Sequence, residues 1–71
     1  MTAEEWVRTF AEQAGAEPPS EDQIGEILKL AAVAAHSSER IAAPIACWIA
    51  GTTGRPLGEL RELAEGLANG D

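Results

Sequence analysis

The fold is decided by the stretch "ILKLAAVAAHSSERIAAPIACWIAG" at residues 27–51, in which two alanine-rich apolar segments flank a short polar one. Alanine is the strongest helix former, and 14 of the 71 residues are alanine. No part of the stretch alternates apolar and polar residues in the manner of a half-buried strand. The stretch therefore predicts two helices that meet near Ser37 and Ser38, and it favours an all-α fold.

Two helix starts are predicted on the N-terminal side. Thr2 with Glu5, and Ser20 with Gln23, have the spacing of a capping box. Apolar residues follow each start at intervals of three and four, which is typical of an amphipathic helix. We expect helices at residues 3–14 and 21–36, with Gly15 ending the first. A glycine at position 25 either weakens the second helix or marks a close contact with a neighbour.

Two more helices are predicted on the C-terminal side, at residues 41–51 and 56–68. The third is apolar nearly all round, so we expect it to be central in the domain or shared with a partner. Pro44 has to lie in its first turn, either directly after an N-cap at Ala43 or behind a short turn at residues 39–43. Gly51 is expected to end it. The prediction is a small four-helix bundle that forms one helical domain over residues 1–71.

Charge limits the classes of partner. The formal net charge is −7, and phosphate backbones and anionic membranes repel such a surface. We therefore expect no nucleic-acid partner and no membrane partner. The acids are concentrated at the two ends of the sequence, whereas residues 27–55 carry three basic side chains and one acid. The least acidic part of the chain is thus the stretch that decides the fold.

The single cysteine indicates a reducing compartment. Cys47 cannot form an internal disulfide, and no group of residues has metal-ligand spacing. The acidic N-terminus does not resemble a signal peptide, and the longest apolar run, residues 41–50, is too short to span a bilayer. We expect a cytoplasmic protein with no metal and no cofactor.

The junction between the second and third helices holds the candidate ligand-binding residues, which are His36, Ser37, Ser38 and Arg40. His36 is either a base, anion contact or ligand, or a residue that satisfies a carbonyl at the helix C-terminus. Arg40 lies at a helix start, where a positive charge is unfavourable, so it needs a partner. That partner is either a carboxylate of the first two helices, or an external anion also held by the two serine hydroxyls and the free amides of the helix start.

The large apolar residues of the third helix are the candidate partner surface: Ile41, Ile45 and Trp48. Trp6 and Trp48 are expected to anchor the core, although one of them can lie at a partner surface. Cys47 lies in the same apolar segment, far in sequence from His36, and we expect it to pack as a small hydrophobic side chain.

The same stretch resembles a family of small bacterial domains of unknown function, which occur alone or as the C-terminal tail of proteins similar to molybdenum-cofactor guanylyltransferases. The resemblance rests on the following residues: Trp6, Ala35, His36, Arg40, Ala42, Ala43 and Pro44. One departure is Ile41, where many members have proline, and it leaves the start of the third helix less rigid. The resemblance implies an accessory role near molybdenum-cofactor or nucleotidyltransferase chemistry.

These observations lead to one expected function and one alternative. We expect a non-enzymatic module that docks on a partner protein or on itself, because one histidine without a paired acid or nucleophile makes a poor catalyst. The alternative is a small anion- or nucleotide-binding domain that uses His36, Ser37, Ser38 and Arg40.

Overall fold

The structure is a computed structural model, and it describes residues 1–70. Four helices follow one another along the chain: α1 (Ala3–Ala14), α2 (Glu21–Ser37), α3 (Ala42–Thr53) and α4 (Leu57–Ala68). The described residues form no strand. The predicted all-α fold of four helices is confirmed, and each predicted boundary lies within two residues of the observed one.

The first two helices begin where side-chain capping was predicted. The Thr2 hydroxyl accepts a hydrogen bond from the Glu5 amide at 3.1 Å. At α2 the capping box is complete, because Ser20 Oγ accepts from the Gln23 amide at 3.1 Å and Gln23 Oε1 accepts from the Ser20 amide at 2.8 Å. These bonds satisfy amides that have no partner inside the helix, which sets both starting points.

Glycines in the left-handed conformation end α1 and α3. Gly15 has φ of 77°, and the amides of Gly15 and Ala16 bond back to Glu12 and Ala11, as in a Schellman motif. The expectation that Gly51 ends α3 is wrong, because α3 continues to Thr53 and Gly54 takes the positive φ of 71°. A glycine ends a helix only where the chain turns into that conformation, and Gly51 stays helical.

The start of α3 follows the second of the two predicted arrangements. A short turn leads into the helix, in which the Ala42 amide donates to the Glu39 carbonyl at 2.9 Å and the Ala43 amide donates to the Arg40 carbonyl at 3.1 Å. Pro44 is the third residue of the helix. Its missing amide costs little there, because first-turn amides lack a partner within the helix.

Helix α2 is the centre of the arrangement. It packs against both α3 and α4, and no other pair of helices in residues 1–70 packs to a comparable extent. α1 is packed less closely: Ala11 is buried, but an open groove lined by Val7 of α1 and Ile24 of α2 lies between these two helices. The radius of gyration is accordingly 12.8 Å, whereas a compact chain of this length has about 11 Å.

Small side chains of α3 face α2, and its large side chains face outward. Ala43, Ala46 and Ala50 recur at helical spacing on one side of α3, and all three are buried or half-buried. Ile41, Ile45 and Trp48 recur at spacings of four and three on the opposite side, and all three are exposed. The alanines let the α2 and α3 backbones approach closely, since the distance between helix axes depends on the side chains at the contact.

Of the two alternatives for α3, the central position is excluded within the single chain, whereas a surface shared with a partner stays a prediction; the expectation that the tryptophans anchor the core is wrong. α3 is not surrounded on all sides, because α2 holds the central position and α3 packs with one side only. Neither tryptophan is a core anchor: 72% of Trp48 is exposed, and the exposed Trp6 ring stacks on Phe10 with centroids 5.2 Å apart. Within the described residues the buried apolar set is small: Ala11, Leu30 and Ala50.

Gly25 tests whether helix propensity or packing governs the middle of α2. A Cβ built at Gly25 would meet no atom within 4 Å, so the predicted close contact at this glycine is absent. We expect Gly25→Ala to raise the free energy of unfolding by about 0.5–1 kcal/mol, because glycine loses more backbone entropy than alanine on helix formation. Urea denaturation followed by circular dichroism measures the change.

Gly54→Ala is the matched control for this prediction. The same change at Gly54 should lower stability, because its φ of 71° is strained for any residue with a Cβ. Equal shifts at both glycines, in either direction, would contradict this account of the helices.

Candidate functional site

The four candidate ligand-binding residues lie together at the junction of α2 and α3. His36 is in the last turn of α2, Ser37 is the last residue of α2, and Ser38 is the C-cap. Arg40 lies in the turn that leads into α3. All four are exposed, and the Ser37 hydroxyl is already engaged, because it donates to the Val33 carbonyl at 2.7 Å. The junction is open to solvent, and Ser37 and Ser38 also line a groove between α2, α3 and α4.

The helix amides that the anion-site hypothesis invoked are not free. The amides of Ala42 and Ala43 bond to carbonyls of the preceding turn, and Pro44 has no amide. The first three residues of α3 therefore offer no donor to an anion, and this part of the expectation is wrong. An anion at the junction would rest on exposed side chains alone, which hold anions weakly in water.

Arg40 also lacks the internal carboxylate partner that its position suggested. It forms no ion pair with any acid of residues 1–70. The ion pair that joins two helices is instead made by Arg61 of α4. Its Nε donates to Glu26 Oε2 of α2 at 2.7 Å, and its Nη1 donates to Glu65 Oε1 at 2.9 Å.

Sequence reasoning overlooked Arg61, although a signal for it exists. Arg61 follows Leu57 by four residues and precedes Ala64 by three, so it lies on the apolar side of α4 that packs against α2. A charged residue on such a side needs an opposite charge from the facing helix. Glu26 of α2 supplies that charge, and Lys29 adds a longer contact to Glu26 at 3.9 Å.

This ion pair shifts the proton affinity of both partners. The hydrogen bond from Arg61 holds the pKa of Glu26 below its ordinary value of 4.5, with additional attraction from the charges of Arg61 and Lys29, while partial burial acts in the opposite direction. The hydrogen bond to Glu26 likewise raises the pKa of Arg61. Both groups are therefore charged at neutral pH, and the pair acts as a structural clamp between α2 and α4.

Cys47 lies on the α2-facing side of α3 and is half-buried. Burial raises the pKa of its thiol above the ordinary value of 9.0. A thiol that holds its proton is a poor nucleophile, so the expectation that Cys47 packs as a small hydrophobic side chain is supported. Among the residues described, no three His, Cys, Asp or Glu side chains are grouped so that they could hold a metal ion.

Large apolar side chains are exposed along one side of α3. We use "α3 face" for the exposed side chains of Ile41, Ile45 and Trp48. Beside this face, a groove of about 460 Å³ runs between α3 and α4, with α2 as its floor. Its lining is mostly aliphatic, with Leu30, Val33, Ile45, Ile49, Ala64 and Leu67 among its residues, and it also contains Ser37, Ser38 and Glu39. The predicted partner-surface residues thus lie together, and α3 itself carries no charged residue.

The structure also bears on membrane insertion. None of the four helices within residues 1–70 combines the length and the apolar character that crossing a bilayer requires.

Glu26 generates a prediction about acid stability. The pKa of Glu26 is lower in the folded chain than in the unfolded chain. The Glu26–Arg61 pair therefore stabilises the fold at pH values above the ordinary pKa of 4.5, and this stabilisation is lost as the pH falls through the lowered pKa. We expect Glu26→Gln to lower the urea midpoint at about pH 7, and we expect the gap from the wild type to close as the pH falls from 4.5 through the lowered pKa of Glu26. Denaturation curves at a series of pH values measure this gap.

Glu17→Gln serves as the charge-matched control, because Glu17 lies in the link before α2 and forms no ion pair with residues 1–70. Its midpoint should follow the wild type at every pH. A Glu26→Gln gap that does not change with pH would show that the clamp does not depend on the Glu26 charge.

Comparison with known proteins places the chain in a family. No curated protein and no solved structure matches it. The sequence pattern of one family, described as a domain of unknown function (DUF6457), matches residues 1–69, which is nearly the whole chain. The resemblance to a family of small domains of unknown function is thereby confirmed, while a link to molybdenum-cofactor proteins is not shown. The chain belongs to the DUF6457 family, and it is a small helical domain of that family.

Proposed function

We propose that this chain is a non-enzymatic protein-interaction module, and that it binds its partner through the α3 face and the adjoining groove. The observation that carries the proposal is the exposure of the large side chains of α3. The exposed fractions are 67% for Ile41, 56% for Ile45 and 72% for Trp48. Contiguous apolar surface of this kind on a small domain marks interaction sites, because leaving it in water is unfavourable.

Burial of this surface would contribute favourable free energy to binding. Full burial of one large apolar side chain is worth about 1.5–3 kcal/mol, so three such side chains can contribute several kcal/mol at an interface. Tryptophan is also among the residues most often found at the energetic centre of interfaces. The groove beside the face offers a concave surface into which apolar side chains of a partner fit.

The residues of the chain do not favour the enzyme class. His36 is exposed and makes no side-chain hydrogen bond within residues 1–70 that would orient it as a base. Cys47 holds its proton and is partly covered by the α2 packing. Catalysis by general acid–base or nucleophilic groups needs a positioned pair, and these two residues are in different parts of the molecule.

The anion- or nucleotide-binding alternative, with His36, Ser37, Ser38 and Arg40, has less support. The Ser37 hydroxyl and the first amides of α3 are already hydrogen-bonded within the chain. We infer instead that the junction serves to turn the chain between α2 and α3, so that the large residues of α3 face outward.

The resemblance to tails of molybdenum-cofactor guanylyltransferase-like proteins makes such an enzyme the first heterologous partner to test. Its support is the resemblance alone. The net charge of −7 makes nucleic acid and anionic membranes unfavourable partners.

A pull-down from the native cell with three baits tests the proposed function. The baits are the wild type, Ile45→Glu on the α3 face, and Leu28→Glu as the control. Leu28 is an aliphatic residue of α2 with a similar exposed fraction of 63%, and it lies outside the α3 face and the groove. We expect the wild type and Leu28→Glu to capture the same protein and Ile45→Glu to lose it, because a carboxylate is costly to bury in an apolar contact.

Circular dichroism of all three baits should show equal helix content, since both substituted side chains are exposed. Capture that survives Ile45→Glu would contradict the proposed function, as would a wild-type bait that binds neither its own chain nor another protein.

A further inference from the structure

We propose that the partner of the α3 face is a second copy of this chain, and that the two α3 helices pack side by side in opposite directions about a two-fold axis near Ile45. This inference rests on the proposed function, because it names the partner of the same surface. Three independent observations support it: the exposed area of the chain, the distribution of charge around α3, and the spacing of the large residues along α3.

The exposed area is larger than is typical of a monomer of this mass. The chain exposes 5426 Å², whereas a monomeric protein of 7.4 kDa exposes about 4,200 Å². The loose packing of α1 accounts for part of the excess of about 1,200 Å², and the uncovered α3 face and groove account for another part. A standard interface buries about 800 Å² on each partner, so pairing of two chains can remove most of this excess.

The charge distribution permits two chains of net charge −7 to meet at this surface. α3 contains no acidic and no basic residue; Arg40 and Arg55 flank it, and Glu39, which lines the adjoining groove, is the one acid of residues 27–55. All acids except Glu39 lie in residues 1–26 and 56–71, so a contact through the outward side of α3 brings no acid of α3 itself against its copy. Like charges buried at an interface are unfavourable, and the outward side of α3 carries none.

The spacing of the outward residues suits the pairing of two like helices. Ile41, Ile45, Trp48 and Thr52 follow one another at intervals of four, three and four, which is the pattern of a seam between two packed helices. In an isologous contact each surface meets its own copy, and a residue near the axis meets its own counterpart. Ile45 lies near the middle of the apolar part of this seam, so it is the residue placed nearest the axis.

Sedimentation velocity of the full chain over a range of concentrations tests the inference. We expect the wild type and Leu28→Glu to sediment at twice the chain mass of 7.4 kDa, and Ile45→Glu to sediment as a monomer. The expected rise in the dimer Kd is at least about 100-fold, because each dimer would bury two carboxylates, one from each copy. Trp48→Gln is a second variant at the same surface and should also weaken the dimer.

A cysteine cross-link tests the position of the axis. In a Cys47→Ser background, Ile45→Cys should form a disulfide between two chains under mild oxidation, since the two copies of residue 45 face each other across the axis. Leu28→Cys in the same background should stay reduced. Equal cross-linking at both positions would indicate random collision and would overturn the proposed arrangement.

The outcomes separate this inference from the proposed function. A wild type that remains monomeric at all concentrations, with lysate capture that still depends on Ile45, overturns the second-copy inference and leaves the interaction module standing. A monomer without Ile45-dependent capture overturns both. A dimer that survives Ile45→Glu and dissociates on Trp6→Glu places the contact on α1, which also overturns the inference.

Discussion

Packing of the small side chains of α3 on α2, around the buried Leu30, is the contact on which the rest of the structure depends. Leu30 and Ala50 are 4% and 6% exposed and line the same side of the α2–α3 pair. Because alanines occupy this contact, the large residues of α3 have to face away from α2. The alanines that pack α3 on α2 therefore also account for the exposed α3 face.

The two sides of α2 are held by different interactions. α3 is held by apolar contact alone, without a charged residue along its length. α4 is held by leucine packing and by the partly covered pair of Arg61 with Glu26. Such a pair contributes more to the relative orientation of the two helices than to the free energy of folding, because the desolvation of two charges offsets much of their attraction. It fixes which side of α4 faces α2, whereas the apolar contacts supply the driving force.

Much of the fold was predictable from local signals. The caps at Thr2 and Ser20 and the left-handed Gly15 depend on the residues next to them, and each was placed correctly. The end of α3 was misplaced because a glycine can adopt a positive φ but does not have to. Tertiary packing decides whether Gly51 or Gly54 adopts it, and in the structure it is Gly54. The exposure of Trp48 was missed because an all-apolar helix does not show which of its sides meets the neighbour.

The candidate site was less predictable than the fold for the same reason. The Arg61–Glu26 pair joins residues that are 35 positions apart, so only the packing of α2 against α4 brings them together. The position of Arg40 at a helix start predicted a carboxylate partner, but no acid of residues 1–70 forms an ion pair with it. Long-range contacts of this kind are decided by tertiary arrangement, which residue spacing along one helix does not report.

The most direct test of this account is the pattern of nuclear Overhauser effects from the Leu30 methyl groups in the chain in solution. The account predicts strong effects to the methyl groups of Ala46 and Ala50 and none to the Trp48 indole of the same chain, because Trp48 lies on the opposite side of α3. Effects from Leu30 to the Trp48 indole within one chain would show that α3 packs with its large side chains inward, and would contradict the account.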